Sequence, residues 1–325
     1  MRDSIIVVGS GLMGVGIAAV SALAGNRTVL FDSAEEKIKN AKAVSLAQCF
    51  ELLDNGLITE EAAKRAEELL SVTSDMEGAL SRAKWVIEAI TENLEAKRSL
   101  FAALDRLLPA EVPILSNTSG LRITDISAKI KHPERALTTH FWFPAHLVPL
   151  VEVVVGDKSS MDMAVTVKEE LDRWGKTAVL VKRDLPGQLA NRILQAVIRE
   201  AVSIVEMGLA SAEDVDKAVK AGMGIRFPVW GPLEHVDAVG LDLCASVQDT
   251  VLPGISARAD AAPLMRDLIE DGKLGYKTGQ GIYDWSMKDM KALERARNEF
   301  IIHALKKIHA LKKIHALEKI KQREN

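Results

Sequence analysis

At 325 residues, with 48% hydrophobic and 27% charged residues, the chain is long enough for two domains and has the balance of a globular protein. A net charge of −3 supplies no basic excess for nucleic acid or an anionic membrane, and no apolar run approaches the roughly 18 residues of a span. Two cysteines, Cys49 and Cys244, make neither a metal-ligand spacing nor a disulfide framework, which points to the reducing cytoplasm and to no metal.

Between residues 4 and 181, short β-branched runs alternate with helical stretches. SIIVV, TVLF, WVIEAI, VPIL, ALTTHF, LVEVV and TAVLV are too short for helices and read as strands. Residues 11–24, 34–53, 60–70 and 94–108 carry the clearest helical spacing. The stretch 34–70 reads as a helical hairpin inserted between strands, turning at Asp54-Asn55-Gly56. This alternation predicts an α/β domain over residues 1–184, a doubly wound, largely parallel sheet of the Rossmann type. Asp184-Leu185-Pro186-Gly187 is a turn signal. Beyond it 188–207, 211–221 and 233–251 read as helices and no strand follows, so residues 185–290 are expected to form an all-helical C-terminal domain. Ser211 is a candidate N-cap, with Asp214 as its capping-box partner.

The tail repeats itself, as IHALKK at 302–307 and 308–313 and IHALEK at 314–319. Apolar residues recur every third position from Ile302 and Leu305 to Ile320, a stripe that slips backward around a 3.6-residue helix. His303, His309 and His315 are six apart and do not face one site. Residues 291–325 are therefore expected to be an exposed helical tail outside the fold.

Gly9-Ser10-Gly11-Leu12-Met13-Gly14 follows the SIIVV strand and opens a helix, and TVLFD then ends in Asp32, 18 residues after Gly14. Strand, glycine turn, helix and acid together form a dinucleotide-binding signature. Gly9 permits the tight turn, Gly11 lets the pyrophosphate approach the backbone, and Gly14 allows close helix–strand packing. Leu12 and Met13 complete this cofactor-binding turn, whose helix N-terminus faces the phosphates. Asp32 accepts hydrogen bonds from the adenosine ribose and repels a 2′-phosphate, so NAD is expected over NADP.

Hydride transfer needs a base for the hydroxyl proton. His140 ends one strand and Glu152 lies on the next, across a connection bounded by Pro144 and Pro149. If these strands pair antiparallel, the two side chains can meet, and a carboxylate then orients imidazole and stabilises imidazolium. His146 is expected to be solvated in the connection.

These residues resemble the L-3-hydroxyacyl-CoA dehydrogenase family over roughly residues 4–285. GSGLMGVGIA, Asn117-Thr118-Ser119-Gly120 for NTSS, and HFWFP for HFxNP appear in order. LVEV with Glu152, PGQLANR, GPLEHVDAVGLD and GKLGYKTGQGIYDW follow. The resemblance implies His140 as catalytic base and Glu152 as its partner. It also implies Ser119 and Asn191 on the substrate oxygen, and Glu92, Lys97, Asn117 and Lys277 among the NAD contacts. A homodimer through the helical, substrate-binding domain is implied as well. Helices such as AVIREAVSIVEMGLA could supply its core or its interface.

Three departures bear on substrate. Phe143 stands where the family has asparagine, Gly120 replaces the second serine of NTSS, and SLAQCFELLDNG offers Gln48 where a lysine for CoA phosphates is expected. GMGIRFPVWGPLE also resembles the λ-crystallin (gulonate dehydrogenase) branch, which acts on small hydroxy acids. On that reading Arg226 or Arg122 clamps a carboxylate. The expected activity is therefore NAD-dependent oxidation of the 3-hydroxyl of a small 3-hydroxy carboxylate, with an acyl-CoA thioester as the alternative substrate. A non-enzymatic crystallin-like or NAD-sensing protein is the alternative of another class.

Overall fold

Ser4–Val8 (β1) has no polar face, and all five residues are buried, as in a central strand covered on both sides. The structure is a computed structural model that describes residues 2–321, with side chains as far as Ile308. It divides the chain into two units: the residues up to Leu189 together with the stretch from Ala296 onward, and Ala190–Arg295.

In the first unit β1 leads to α1 (Leu12–Leu23), β2 (Arg27–Phe31), the hairpin of α2 (Glu35–Asp54) and α3 (Glu60–Leu69), and β3 (Leu70–Thr73). α4 (Met76–Leu80), β4 (Ala83–Glu88), α5 (Leu94–Leu107), β5 (Ile114–Ser116) and α6 (Ile123–Ile126) follow. β6 (Ala136–Phe141), β7 (Leu150–Val155), α7 (Met161–Arg173) and β8 (Thr177–Val181) complete it. The sheet runs β3-β2-β1-β4-β5-β6-β7-β8 and is parallel except where β6 meets β7. Successive side chains of β1 serve opposite faces. Ile5 and Val7 pack with Ile17 of α1 and Val167 of α7, while Ile6 and Val8 join Phe101 and Leu104 of α5. Two apolar layers on one sheet make the expected doubly wound fold.

β3 is the strand that the sequence pattern hid. Leu70 follows Leu69 without a turn residue, so LLSVT reads as the end of the preceding helix until it pairs with β2. Thr59 caps α3 by accepting from the Ala62 amide at 3.2 Å.

The second unit holds the remainder of α8 (Leu189–Glu206), then α9 (Ala212–Ala218), α10 (Pro232–Val239), α11 (Leu241–Val251) and α12 (Pro263–Glu270). Ser211 caps α9, accepting from the Asp214 amide at 3.1 Å and donating to its carboxylate at 3.0 Å. The single helix expected over 233–251 is two, because Gly240 takes φ +110°, a conformation that glycine adopts without strain. No helix among the described residues is long and apolar enough to cross a membrane.

α13 (Met290–Lys321) carries the chain from the second unit back to the first, and here the expected exposed tail needs correction. Ile302 is buried against Leu52 and Leu147, and Asn298 Nδ2 donates to Glu51 Oε1 at 3.4 Å. The drifting apolar stripe still presents one turn to the sheet unit, and that turn docks. His303 is exposed, while the side chains of His309 and His315 lie outside the described residues.

Candidate active site

β6 and β7 pair antiparallel with His140 directly opposite Glu152. Neighbouring strands lie close enough for such a pair to touch, and His140 Nδ1 is 2.8 Å from Glu152 Oε2. The imidazole is 9% exposed and the carboxylate fully buried. The Trp142 indole donates to the same carboxylate oxygen at 3.0 Å, its ring 5.7 Å from that of His140. Nδ1 is thus committed to the carboxylate, and Nε2 is the nitrogen left for an incoming proton. The sequence reading missed Trp142, whose indole N–H needs an acceptor when half-buried.

β1 and β6 run parallel within the sheet, so the glycine turn after β1 and His140 near the end of β6 share its carboxyl edge. The chain order reverses between β1 and β4, and this crevice is where open α/β sheets take ligands. Gly9 has φ +108°, and a Cβ there would sit 2.6 Å from the Ala89 carbonyl oxygen. A Cβ on Gly14 would lie 1.7 Å from the Gly9 oxygen, so no side chain fits. Gly11 has open space above it, and α1 begins with neither a side-chain cap nor an acidic residue in its first turn. Its first amides are therefore free for an anion, which fits a dinucleotide pyrophosphate.

Asp32 shapes the far side of this turn. Its carboxylate accepts from the Ser10 amide at 2.9 Å, the Ser10 hydroxyl at 2.8 Å and the Ala34 amide at 3.1 Å. Burial pushes its pKa up, but these hydrogen bonds outweigh it and hold the group below its ordinary value.

Glu92 and Lys97 meet beside the β5 turn, around a carboxylate that the sequence reading overlooked. Glu88, fully buried at the end of β4, accepts from Lys97 Nζ at 2.5 Å and from the Ser116 hydroxyl at 2.6 Å. Lys97 is itself 1% exposed and also lies 3.3 Å from Glu92. An acid inside WVIEAI was the available signal, the same anomaly that marks Glu152. Glu92 Oε1 accepts from the Thr118 hydroxyl and from the amides of Ser119 and Gly120, at 2.5, 3.1 and 3.1 Å. Desolvation raises its pKa, yet Thr118, Lys97 and the Gly120 amide together lower it. Ser119 is thereby held at an exposed turn, and Asn117 Oδ1 accepts from the Phe141 amide at 2.8 Å, tying β5 to the strand of His140.

Asn191, Arg226 and Lys277 belong to the helical unit, Asn191 near the start of α8 and the other two in exposed turns. Arg122 is engaged elsewhere, donating to the Asp184 carbonyl at 3.2 Å and to Asp157 at 3.4 Å. His146 is not solvated: its side chain is 5% exposed and its Nε2 is 2.8 Å from Glu51 Oε2. The connection folds inward onto α2, which local sequence does not reveal. Phe143 is 43% exposed, with the Arg297 guanidinium of α13 5.2 Å from its ring centroid.

Residues 4–185 match the 3-hydroxyacyl-CoA dehydrogenase NAD binding domain, and 187–285 match the C-terminal domain of the same family. A 5-formyl-3-hydroxy-2-methylpyridine 4-carboxylate 5-dehydrogenase of Mesorhizobium japonicum is 35% identical over 91% of this chain and 96% of its own. A solved 5-dehydrogenase for that pyridine acid, described as an NAD+-dependent dismutase, superposes with TM-score 0.86 at 33% identity, over 93% of this chain and 97% of that one. An (S)-3-hydroxybutyryl-CoA dehydrogenase from Ralstonia eutropha gives TM-score 0.73 at 30% identity, over 88% and 99%. The chain belongs to the 3-hydroxyacyl-CoA dehydrogenase family and is an NAD-dependent dehydrogenase acting on a CH–OH group.

Proposed function

We propose that this enzyme oxidises the 3-hydroxyl of a small, free 3-hydroxy carboxylate to the 3-keto form. The observation that carries the chemistry is the buried His140–Glu152 pair at 2.8 Å, on the sheet edge that also carries the glycine turn. NAD, when bound, supplies the hydride acceptor. His140 Nε2 takes the hydroxyl proton, and Glu152, further fixed by Trp142, stabilises the resulting imidazolium. Ser119 and Asn191 hydrogen-bond the substrate oxygen, and Gly9 to Gly14, Asp32, Glu92, Lys97, Asn117 and Lys277 serve the cofactor.

Three features favour a free acid. α2 carries Gln48 and Glu51 where a CoA phosphate would need cations. Phe143 presents an apolar ring with a guanidinium against it. The relative named for a pyridine carboxylate also superposes more closely than the CoA-named one. With Arg122 held by aspartates, Arg226 is the arginine of the expected pair left for the carboxylate. The second reading, a CoA thioester substrate, draws on the family's name and its CoA-named members.

The test is NADH formation across a panel of free hydroxy acids and 3-hydroxybutyryl-CoA, with wild type beside His140→Gln. Wild type should turn over free acids, and His140→Gln should lose about 10²–10⁴-fold in kcat with NAD binding retained. An unchanged kcat removes His140 as the base; turnover of the thioester alone removes the free-acid reading. In the same panel Arg226→Ala should raise KM for free acids about tenfold or more, a charge-assisted hydrogen bond's worth. The helical unit further supports a homodimer, and two free cysteines, one buried, support a cytoplasmic setting.

A further inference from the structure

The sheet unit contains a second histidine site that hydride transfer does not use. A cavity of about 230 Å³ lies between the end of α1, the α2–α3 turn, the 146–149 connection and the residues before β8. Leu23, Leu52, Leu57 and Trp174 make apolar walls, and Leu305 of the repeat tail adds another. Two side chains interrupt that lining, His146 and Lys176.

Both are poorly compensated. Lys176 Nζ donates to the Ala145 carbonyl and, at 3.1 Å, to the Val148 carbonyl. An ammonium has three donors, and among the described residues no carboxylate lies within 4 Å of this one. Burial pushes its pKa down to about 8, the response of a cation short of a counter-charge. His146 is 5% exposed, and while its Nε2 meets Glu51, its Nδ1 is buried without a hydrogen-bond partner among the described residues. A buried polar atom left unpaired costs free energy that an occupant can recover.

We propose that this cavity is a second ligand site, taking a small monocarboxylic acid whose carboxyl group sits between Lys176 Nζ and His146 Nδ1. One carboxylate oxygen accepts from the Lys176 ammonium, and the other accepts from Nδ1–H of His146, whose imidazole takes up the acid's proton. The apolar walls take an alkyl or aryl body. At about 30 Å³ per water-sized group, the cavity admits roughly eight non-hydrogen atoms. This site stands apart from the dehydrogenase reading and does not depend on it.

Isothermal titration of the full-length enzyme with hexanoate, beside its neutral isostere hexanamide, tests the proposal. Hexanoate should bind with a Kd below about 1 mM, and hexanamide about tenfold more weakly or worse. Lys176→Met and the cavity-filling Leu57→Trp should each cost hexanoate about tenfold or more, with NAD-linked turnover retained as the check on folding. Leu57 lies in a half-buried turn, so that variant still reads the site if loss of Lys176 unfolds the connection. Equal binding of acid and amide overturns the proposal, as does no binding of hexanoate at about 10 mM. Full hexanoate affinity in Leu57→Trp assigns the acid to the dehydrogenase site and overturns it too.

Discussion

In the sheet unit β1 is wholly buried and β4 and β7 nearly so, whereas between Ala190 and Arg295 only Val202, Val215 and Ala262 are buried among the described residues. Leu209, Val229, Leu233 and Leu241 are each at least 66% exposed in that helical unit. An apolar cavity of about 620 Å³ between α8 and α9 is lined by Ile193, Val197, Ile204 and Met223. The sheet unit closes its own two cores. The helical unit buries too little apolar surface to offset its chain entropy, and its open face has the character of half an interface. Self-sufficiency thus differs between two parts of one chain, and the homodimer proposed above would cover the incomplete part.

The largest effect expected of a single substitution follows from that contrast. Ile193→Asp, which puts a charge on the α8 face, should convert the proposed dimer into monomers at micromolar concentration, read by light scattering on an eluting column. A wild type that is already monomeric, or a variant that stays dimeric, would mean that the helical unit is complete by itself.

The sheet unit should be sensitive at a different kind of position. Arg135 is fully buried and donates to Asp105 Oδ1 at 2.6 Å, to the Asp105 carbonyl at 3.0 Å and to the Leu108 carbonyl. Asp105→Ala leaves that guanidinium uncompensated and should cost about 3–5 kcal/mol in urea unfolding. A loss well below 1 kcal/mol would show that the backbone carbonyls satisfy Arg135 without the carboxylate.

A smaller, pH-dependent effect separates the units further. Glu92 sits below its ordinary value of 4.5, so its contribution is fully present above that pH and is lost as pH falls toward the depressed folded-state value. The sheet unit should lose stability progressively below pH 4.5, and Glu92→Gln should flatten that slope. An identical acid slope in the variant would assign it to other carboxylates, such as Asp32 and Asp105.

Much of the fold and part of the site can be read without coordinates. β1, β6 and β8 announce themselves as apolar runs, and the helices of the 34–70 hairpin by their spacing. The glycine turn could be placed because strand, glycines, helix and acid are contiguous in the chain. The His140–Glu152 contact needed one further condition, the antiparallel pairing of β6 with β7, which the pleat then converts into touching side chains. β3 and the break at Gly240 escaped notice because neighbouring leucines and valines continue a helical period across them.

Other residues acquired their meaning only from distant partners. Lys97, implied only as a cofactor contact by the resemblance, is met in the core by Glu88 of the adjoining strand. His146 appeared to belong to a solvated connection until Glu51, 95 residues earlier, turned it inward. Ile302 lies in a repeat that defines no face of its own, yet it docks on Leu52 and Leu147. The sequence by itself determined what depends on near neighbours: periodicity, turn chemistry and the cofactor signature. The tertiary structure decided burial and the partner of each charge. Those depend on which remote segments the closed sheet brings within a few ångströms, where desolvation and pairing set the energy of a polar group.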